Sequence, residues 1–205
     1  MTHRRILLAG LGAAALAALD AGALAAEARP VDGRRQRIPN VPLKTHKGNT
    51  VNFYDDLVRG KVVAINMMYA DCEGICPLMT TNLVRVQELL ADRIGRDIFM
   101  YSITLRPEKD TPQDLAEYAE THGVHPGWLF LTGTRANVEA VRLALGFYDP
   151  EPQVDREPTR HTGMLRIGND VIDRWGMAPA LAAPEQIVNS ILHVDRKSAP
   201  PRRAA

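Results

Sequence analysis

A near-continuous apolar run, Lys61-Val62-Val63-Ala64-Ile65-Asn66-Met67-Met68-Tyr69, predicts a strand buried on both faces of a sheet. Before it, Val41 to His46 and Thr50 to Phe53 flank Lys47-Gly48-Asn49, which reads as a short hairpin, and Asp55 to Gly60 reads as a brief helical or turn segment. After it, apolar residues recur as Leu83, Val86, Leu89, Leu90 and Ile94. That spacing predicts a helix from Pro77, which is acceptable in a first turn where no backbone N–H is needed, to a stop at Gly95. The alternation then repeats. Asp97 to Leu105 reads as a strand, and Thr111-Pro112-Gln113-Asp114 as the capped start of a helix with Leu115, Tyr118 and Ala119 on its inner stripe and Gly123 at its end. Trp128 to Leu131 is a short strand, and Thr134 caps a helix through Val138, Val141 and Leu145 to Gly146. A proline-punctuated loop, Tyr148 to Pro158, leads to a strand from Gly163 to Ile167, a hairpin turn at Gly168-Asn169 and a strand from Val171 to Trp175. Pro184 to His193 closes the pattern as an amphipathic helix. Strands alternating with helices predict an α/β sheet with helices on both faces.

Both cysteines, Cys72 and Cys76, fall directly behind the long apolar run, in Ala70-Asp71-Cys72-Glu73-Gly74-Ile75-Cys76-Pro77. In a helical segment, residues four apart share a face, so the two sulfurs can meet. A reversible disulfide or a pair of thiolates on one soft metal ion then becomes possible. A structural disulfide closing so small a loop would stabilise the fold by only about 2 kcal/mol, and a chain of 205 residues buries a core without it. Glu73 and Gly74 between the cysteines suggest a turn near water.

The N-terminus predicts the compartment. Thr2-His3-Arg4-Arg5 is a basic start, Ile6 to Leu19 is apolar and small, and Ala23-Leu24-Ala25 or Ala26-Glu27-Ala28 offers a cleavage site. Residues 1–26 therefore read as an export signal, with a twin-arginine hint in Arg4-Arg5. The apolar run is shorter than the roughly 20 residues that span a bilayer, so a membrane is met only through an uncleaved signal. Residues 27–40 read as a linker, 41–194 as one domain and 195–205 as a tail. Removing the signal takes away Arg4, Arg5 and Asp20 and leaves 23 basic against 23 acidic residues, a balance that excludes nucleic acid as a partner. Export to a periplasm places both cysteines where thiols oxidise unless a reductant or a metal holds them.

The element order, hairpin, βαβ, α, β-hairpin, α, is that of a thioredoxin-like three-layer α/β/α sandwich with an N-terminal hairpin extension. Three features carry a closer resemblance: the apolar strand into Cys72-x-x-x-Cys76-Pro77, the strand ending in Thr104 before Pro107-Glu108-Lys109-Asp110-Thr111-Pro112, and Arg160-His161-Thr162 before a β-hairpin. Over roughly Val41 to Val194 the chain resembles the Sco/SenC family of thioredoxin-fold copper proteins that serve cytochrome c oxidase assembly. The resemblance implies copper ligands at Cys72, Cys76 and His161, and a copper-accepting oxidase subunit, at its CuA site, or another copper-accepting protein as partner. Where the family usually carries an acidic residue before the proline of its Asp-Pro-x-x-Asp-Thr segment, this chain has Arg106.

Donor chemistry agrees with that set. Thiolates suit Cu(I), an added imidazole makes the site tolerable to Cu(II), and a structural zinc would call for a fourth protein ligand. His46, His122, His125 and His193 read as surface residues, and Met67 and Met68, adjacent on a strand and so facing opposite sides, as core. Asp71 and Glu73 would attract a cation or simply be solvated. Two functions follow: an exported copper chaperone, or a periplasmic thiol-disulfide oxidoreductase that uses Cys72 and Cys76 as a redox pair to keep a partner's cysteines reduced, with a thiol reductase upstream.

Overall fold

A computed structural model of the chain describes residues 37–157 and 163–195. The proposed signal, most of the linker and the tail lie outside the described residues. The elements are β1 (Pro42–Thr45), β2 (Thr50–Asn52), a π-helical segment (Phe53–Val58), β3 (Val62–Met68), α1 (Ile75–Leu89), β4 (Ile98–Thr104), α2 (Pro112–Thr121), β5 (Trp128–Thr132), α3 (Arg135–Ala144), α4 (Pro152–Asp155), β6 (Met164–Asn169), β7 (Arg174–Pro179) and α5 (Pro184–Asp195). One mixed sheet runs β2-β1-β5-β4-β3-β6-β7. β3 lies parallel to β4 and antiparallel to β6, and β4 lies parallel to β5. Every residue of β3 is buried, as its unbroken apolar run requires of an inner strand covered on both faces.

The faces follow from strand parity. Asn66, Ser102 and Trp128 share one face through a buried chain in which the Ser102 hydroxyl donates to Asn66 Oδ1 at 2.7 Å and Trp128 Nε1 to Ser102 Oγ at 2.9 Å. Helix α2 joins that face through Tyr118, whose ring meets Phe130 at 5.8 Å and whose hydroxyl bonds Thr80 of α1 at 2.9 Å. Helix α5 lies there too, with Asn169 Nδ2 donating to the Val194 carbonyl at 3.1 Å. Ile65 and Tyr101 face the other way, and the Tyr101 hydroxyl donates to the Leu57 carbonyl at 2.8 Å. Right-handed crossovers account for α1 and α2: β3 to β4 to β5 progresses in one direction and drops both on one face, while α3, on the way to the antiparallel β6, lies beside Met67 on the other.

Three boundaries differ from the sequence reading. Helix α1 opens at Ile75, two residues before Pro77, so that Cys76 is already helical, and it ends at Leu89, with turns rather than helix filling the stretch to Gly95. The β6–β7 turn falls at 170–173, not at Gly168-Asn169, and the last strand begins at Arg174. Gly168 is a strand residue covered by an aromatic ring, since a Cβ there would lie 2.1 Å from Trp175. Asn169 Oδ1 accepts from the Val171 N–H at 3.0 Å and Asp170 accepts from the Gly60 N–H at 2.8 Å, which together hold the turn one step later.

Candidate metal centre

Strand β3 ends where the chain turns into α1, and the two cysteines occupy that turn: Cys72 just before the helix, Cys76 in its first turn. Ligands of open α/β sheets gather at such carboxyl ends of strands, beside the point where the strand order reverses. Here that point lies between β4 and β6, the two neighbours of β3. Both cysteines are free thiols. Glu73 and Gly74 are exposed, as their composition suggests, yet the sulfur-bearing residues are withdrawn: Cys72 is 7% exposed and Cys76 0%.

The two thiols differ. Burial pushes the Cys72 thiol up, but hydrogen bonds from the Cys76 thiol, the Cys76 and Gly74 backbone N–H groups and the Tyr69 hydroxyl outweigh it and hold Cys72 below the usual thiol range. No side-chain oxygen caps α1, and the Cys72 sulfur thus takes the place of a cap at the positive end of the helix. Burial and the donation to Cys72 push Cys76 up, so Cys76 keeps its proton. Tyr69 is likewise pushed up, by burial first and then by its bond to Cys72. The Cys76 thiol thus donates to a sulfur more acidic than itself.

A second loop clamps this turn. Asp110 Oδ2 accepts from the Ala70 N–H at 3.1 Å and from the Thr104 hydroxyl, while Thr104 Oγ1 accepts from the Arg106 N–H at 2.9 Å. The Asp110 carboxyl is 3% exposed, and burial raises its pKa against the bonds it accepts. Arg106 reaches over the same turn: it donates to Asp71 Oδ1 at 2.7 Å, and its guanidinium carbon lies 3.9 Å from the centroid of Tyr69. Tyr69 therefore stands between the arginine and the Cys72 sulfur.

The SCO1/SenC family model matches residues 38–194. The chain belongs to the SCO1/SenC family. Over 89 residues it is 33% identical to the SCO1 protein homolog of Bacillus subtilis, a match covering 42% of this chain and 45% of that one. With protein SenC of Rhodobacter capsulatus it shares 27% identity over 157 residues, 73% of this chain and 66% of the other. The chain thus spans less than half the length of the Bacillus relative. Yeast Sco1, solved with copper bound, superposes with a TM-score of 0.61 at 21% identity, over 81% of this chain and 99% of that one. That likeness establishes the fold.

Among the described residues of this family member, no group of three or more His, Cys, Asp and Glu side chains could hold a metal ion. His161, the third ligand that the resemblance implies, lies outside the described residues, as does Arg160. Its neighbour Gly163 is described. A Cβ on Gly163 would lie 2.7 Å from Ile75 Cδ1 and 3.6 Å from Met79 Sδ, so β6 begins against the helix that carries Cys76. On the other side of that loop, Arg142 fixes the chain by donating to Asp155 at 2.7 Å and to the Phe147 carbonyl at 2.6 Å. The remaining histidines stand apart from the sulfurs in other roles: His46 Nδ1 accepts from the Phe130 N–H at 3.0 Å, and His122 Nδ1 bonds the Tyr118 carbonyl at 2.8 Å. His125 and His193 are exposed. Met67 and Met68 are both core residues, 1% and 0% exposed. Sequence reasoning missed Tyr69, Arg106 and Asp110 as parts of the site. Only the family segment around Pro107 could have signalled the last two.

Proposed function

We propose that the chain is an exported copper chaperone that carries copper as its cargo, bound by Cys72, Cys76 and His161, to the CuA site of cytochrome c oxidase. One observation carries this reading: two free thiols, hydrogen-bonded to each other at the end of the central strand, with the acidity of Cys72 raised by the donors around its sulfur. Two adjacent soft donors of this kind suit Cu(I). A third donor from the loop before β6 is consistent with the contact of Gly163 on α1, two residues beyond His161 in the chain. The proteins of yeast, Arabidopsis thaliana and Bradyrhizobium japonicum that share the fold have been solved with copper bound. The test is transfer. Copper-loaded protein mixed with a copper-free CuA domain should generate the CuA absorption, and the Cys72→Ser, Cys76→Ser double variant should not. Equal transfer by that variant would end the reading.

A second reading, thiol-disulfide oxidoreductase, is favoured by the unequal acidities, since a lowered nucleophile beside a protonated partner is what dithiol exchange uses. It separates from the first at His161. Under exchange, His161→Ala keeps reductase activity towards a disulfide substrate, and a loss as large as that of Cys72→Ser would refute it.

Export is proposed on the pattern of residues 1–26. Mass spectrometry of the mature chain should find it in the periplasm without roughly the first 25 residues, and an intact Met1 in the cytoplasmic fraction would contradict it.

A further inference from the structure

On the face of the sheet away from α1 and α5, Arg166 stands in β6 opposite Ile65 of β3 and Met177 of β7. Its Nε is buried and has no hydrogen-bond partner, and no ion pair involves it among the described residues. Burial lowers its pKa with no carboxylate opposing the shift. An aromatic ring lies near it: the guanidinium carbon is 5.6 Å from the centroid of Trp175. A pocket of about 340 Å³ opens there, walled by Ile38, Leu145 and Trp175, with Arg37 also lining it. Asp170 and Asp173 line it as well, but both are engaged elsewhere. Asp173 pairs with Arg37 at 2.6 Å, and Asp170 accepts from the Gly60 N–H at 2.8 Å and the Tyr54 hydroxyl at 3.3 Å.

Arg166 is half-buried, and its Nε is a buried donor without an acceptor, an arrangement that is costly and that proteins rarely keep where nothing binds. Arginine presents a rigid fork of donors that matches a carboxylate. Here the fork adjoins an apolar and aromatic wall in a pocket of ligand size. We propose that this pocket binds a carboxylate carried on an apolar or aromatic body, with Arg166 holding the carboxylate and Trp175 flanking the body. The copper reading uses none of these residues, so the two stand or fall separately.

The experiment is a 15N NMR titration of the full chain with 3-phenylpropionate, and with 3-phenylpropionamide as the neutral control. Arg166 Nε–H and Trp175 Nε1–H should shift saturably, with a dissociation constant in roughly the millimolar range that so small a probe can reach. Trp128 Nε1–H, bonded to Ser102 inside the core, should stay in place. The amide should bind at least about tenfold more weakly. Arg166→Gln should lose the carboxylate response by a similar factor while melting at or above the wild-type temperature, because it removes a charge that has no partner; Arg166→Lys, which keeps the charge but not the fork, should fall between the two. Absence of saturation, an equal response to the amide, or a response retained in Arg166→Gln would each overturn the proposal.

Discussion

Replacing Tyr69 by Phe removes one atom from the site and leaves the ring beneath Arg106 in place. The lost atom is the hydroxyl that donates to Cys72, one of the bonds holding that thiol below its usual range. Hydrogen bonds to a charged acceptor contribute about 1.5–3 kcal/mol. Tyr69 is 5% and Cys72 7% exposed, so solvent replaces little of the loss. Three other donors remain on the sulfur, the Cys76 thiol and the Cys76 and Gly74 N–H groups, and they share the charge. The lower end of the range is therefore the expected cost, about 1.5 kcal/mol, or a factor of roughly ten in thiolate population below the titration point. The assay is alkylation of the reduced protein by iodoacetamide across pH, with Cys72 and Cys76 resolved by peptide mass spectrometry. In the wild type, Cys72 should react first. In Tyr69→Phe its rate at neutral pH should drop about tenfold, its pH profile should move upward, and its limiting rate at high pH should be unchanged. The melting temperature should move little, since the ring and its stacking survive. An unchanged rate at neutral pH would refute the claim that Tyr69 sets the acidity of Cys72.

Cys76, held protonated by burial and by its bond to Cys72, contributes stability that is present below the unfolded thiol pKa of about 8.5 and lost as pH rises toward its folded value. Thermal melts of the reduced protein should therefore fall in temperature as pH rises above about 9, and Cys76→Ser should flatten that fall. Gly168→Ala drives a methyl into Trp175 and should cost about 1–3 kcal/mol in urea unfolding, with a change in tryptophan emission. Thr111→Ala breaks the capping box that Thr111 forms with Asp114 and should cost about 1 kcal/mol in the same assay. Arg106→Ala removes an ion pair to an exposed Asp71 and should cost under about 1 kcal/mol, leaving copper stoichiometry unchanged when metal is measured after loading.

The parts of this fold that could be read in the sequence are those written in local periodicity. Val62 to Met68 announces an inner strand because both of its faces must be covered, and Thr111-Pro112 announces a helix because the cap and the proline act within one turn. Gly168-Asn169 misled because glycine has two uses, and here it makes room for a ring that arrives from the next strand. The start of α1 was misplaced because Pro77 is tolerated at any position of the first turn, and the Cys72 sulfur supplies the cap that no serine or aspartate advertises. The clamp of Asp110 on Ala70 and of Arg106 on Asp71 joins residues 40 and 35 apart in the chain, and no local pattern records such a pairing. The cysteine pair itself was legible. The inequality of the two thiols was not, because it comes from a tyrosine and a helix end folded around one of them.

The central claim is tested most directly by copper content after anaerobic loading and removal of free metal. The reduced protein should hold one copper per chain, with uptake that releases protons and weakens as pH falls, because thiols must deprotonate to bind. The oxidised disulfide form should hold none at this site, His161→Ala should lose Cu(II) more than Cu(I), and His46, His122 and His125 variants should bind as the wild type does. One copper per chain in the Cys72→Ser, Cys76→Ser double variant would contradict the account.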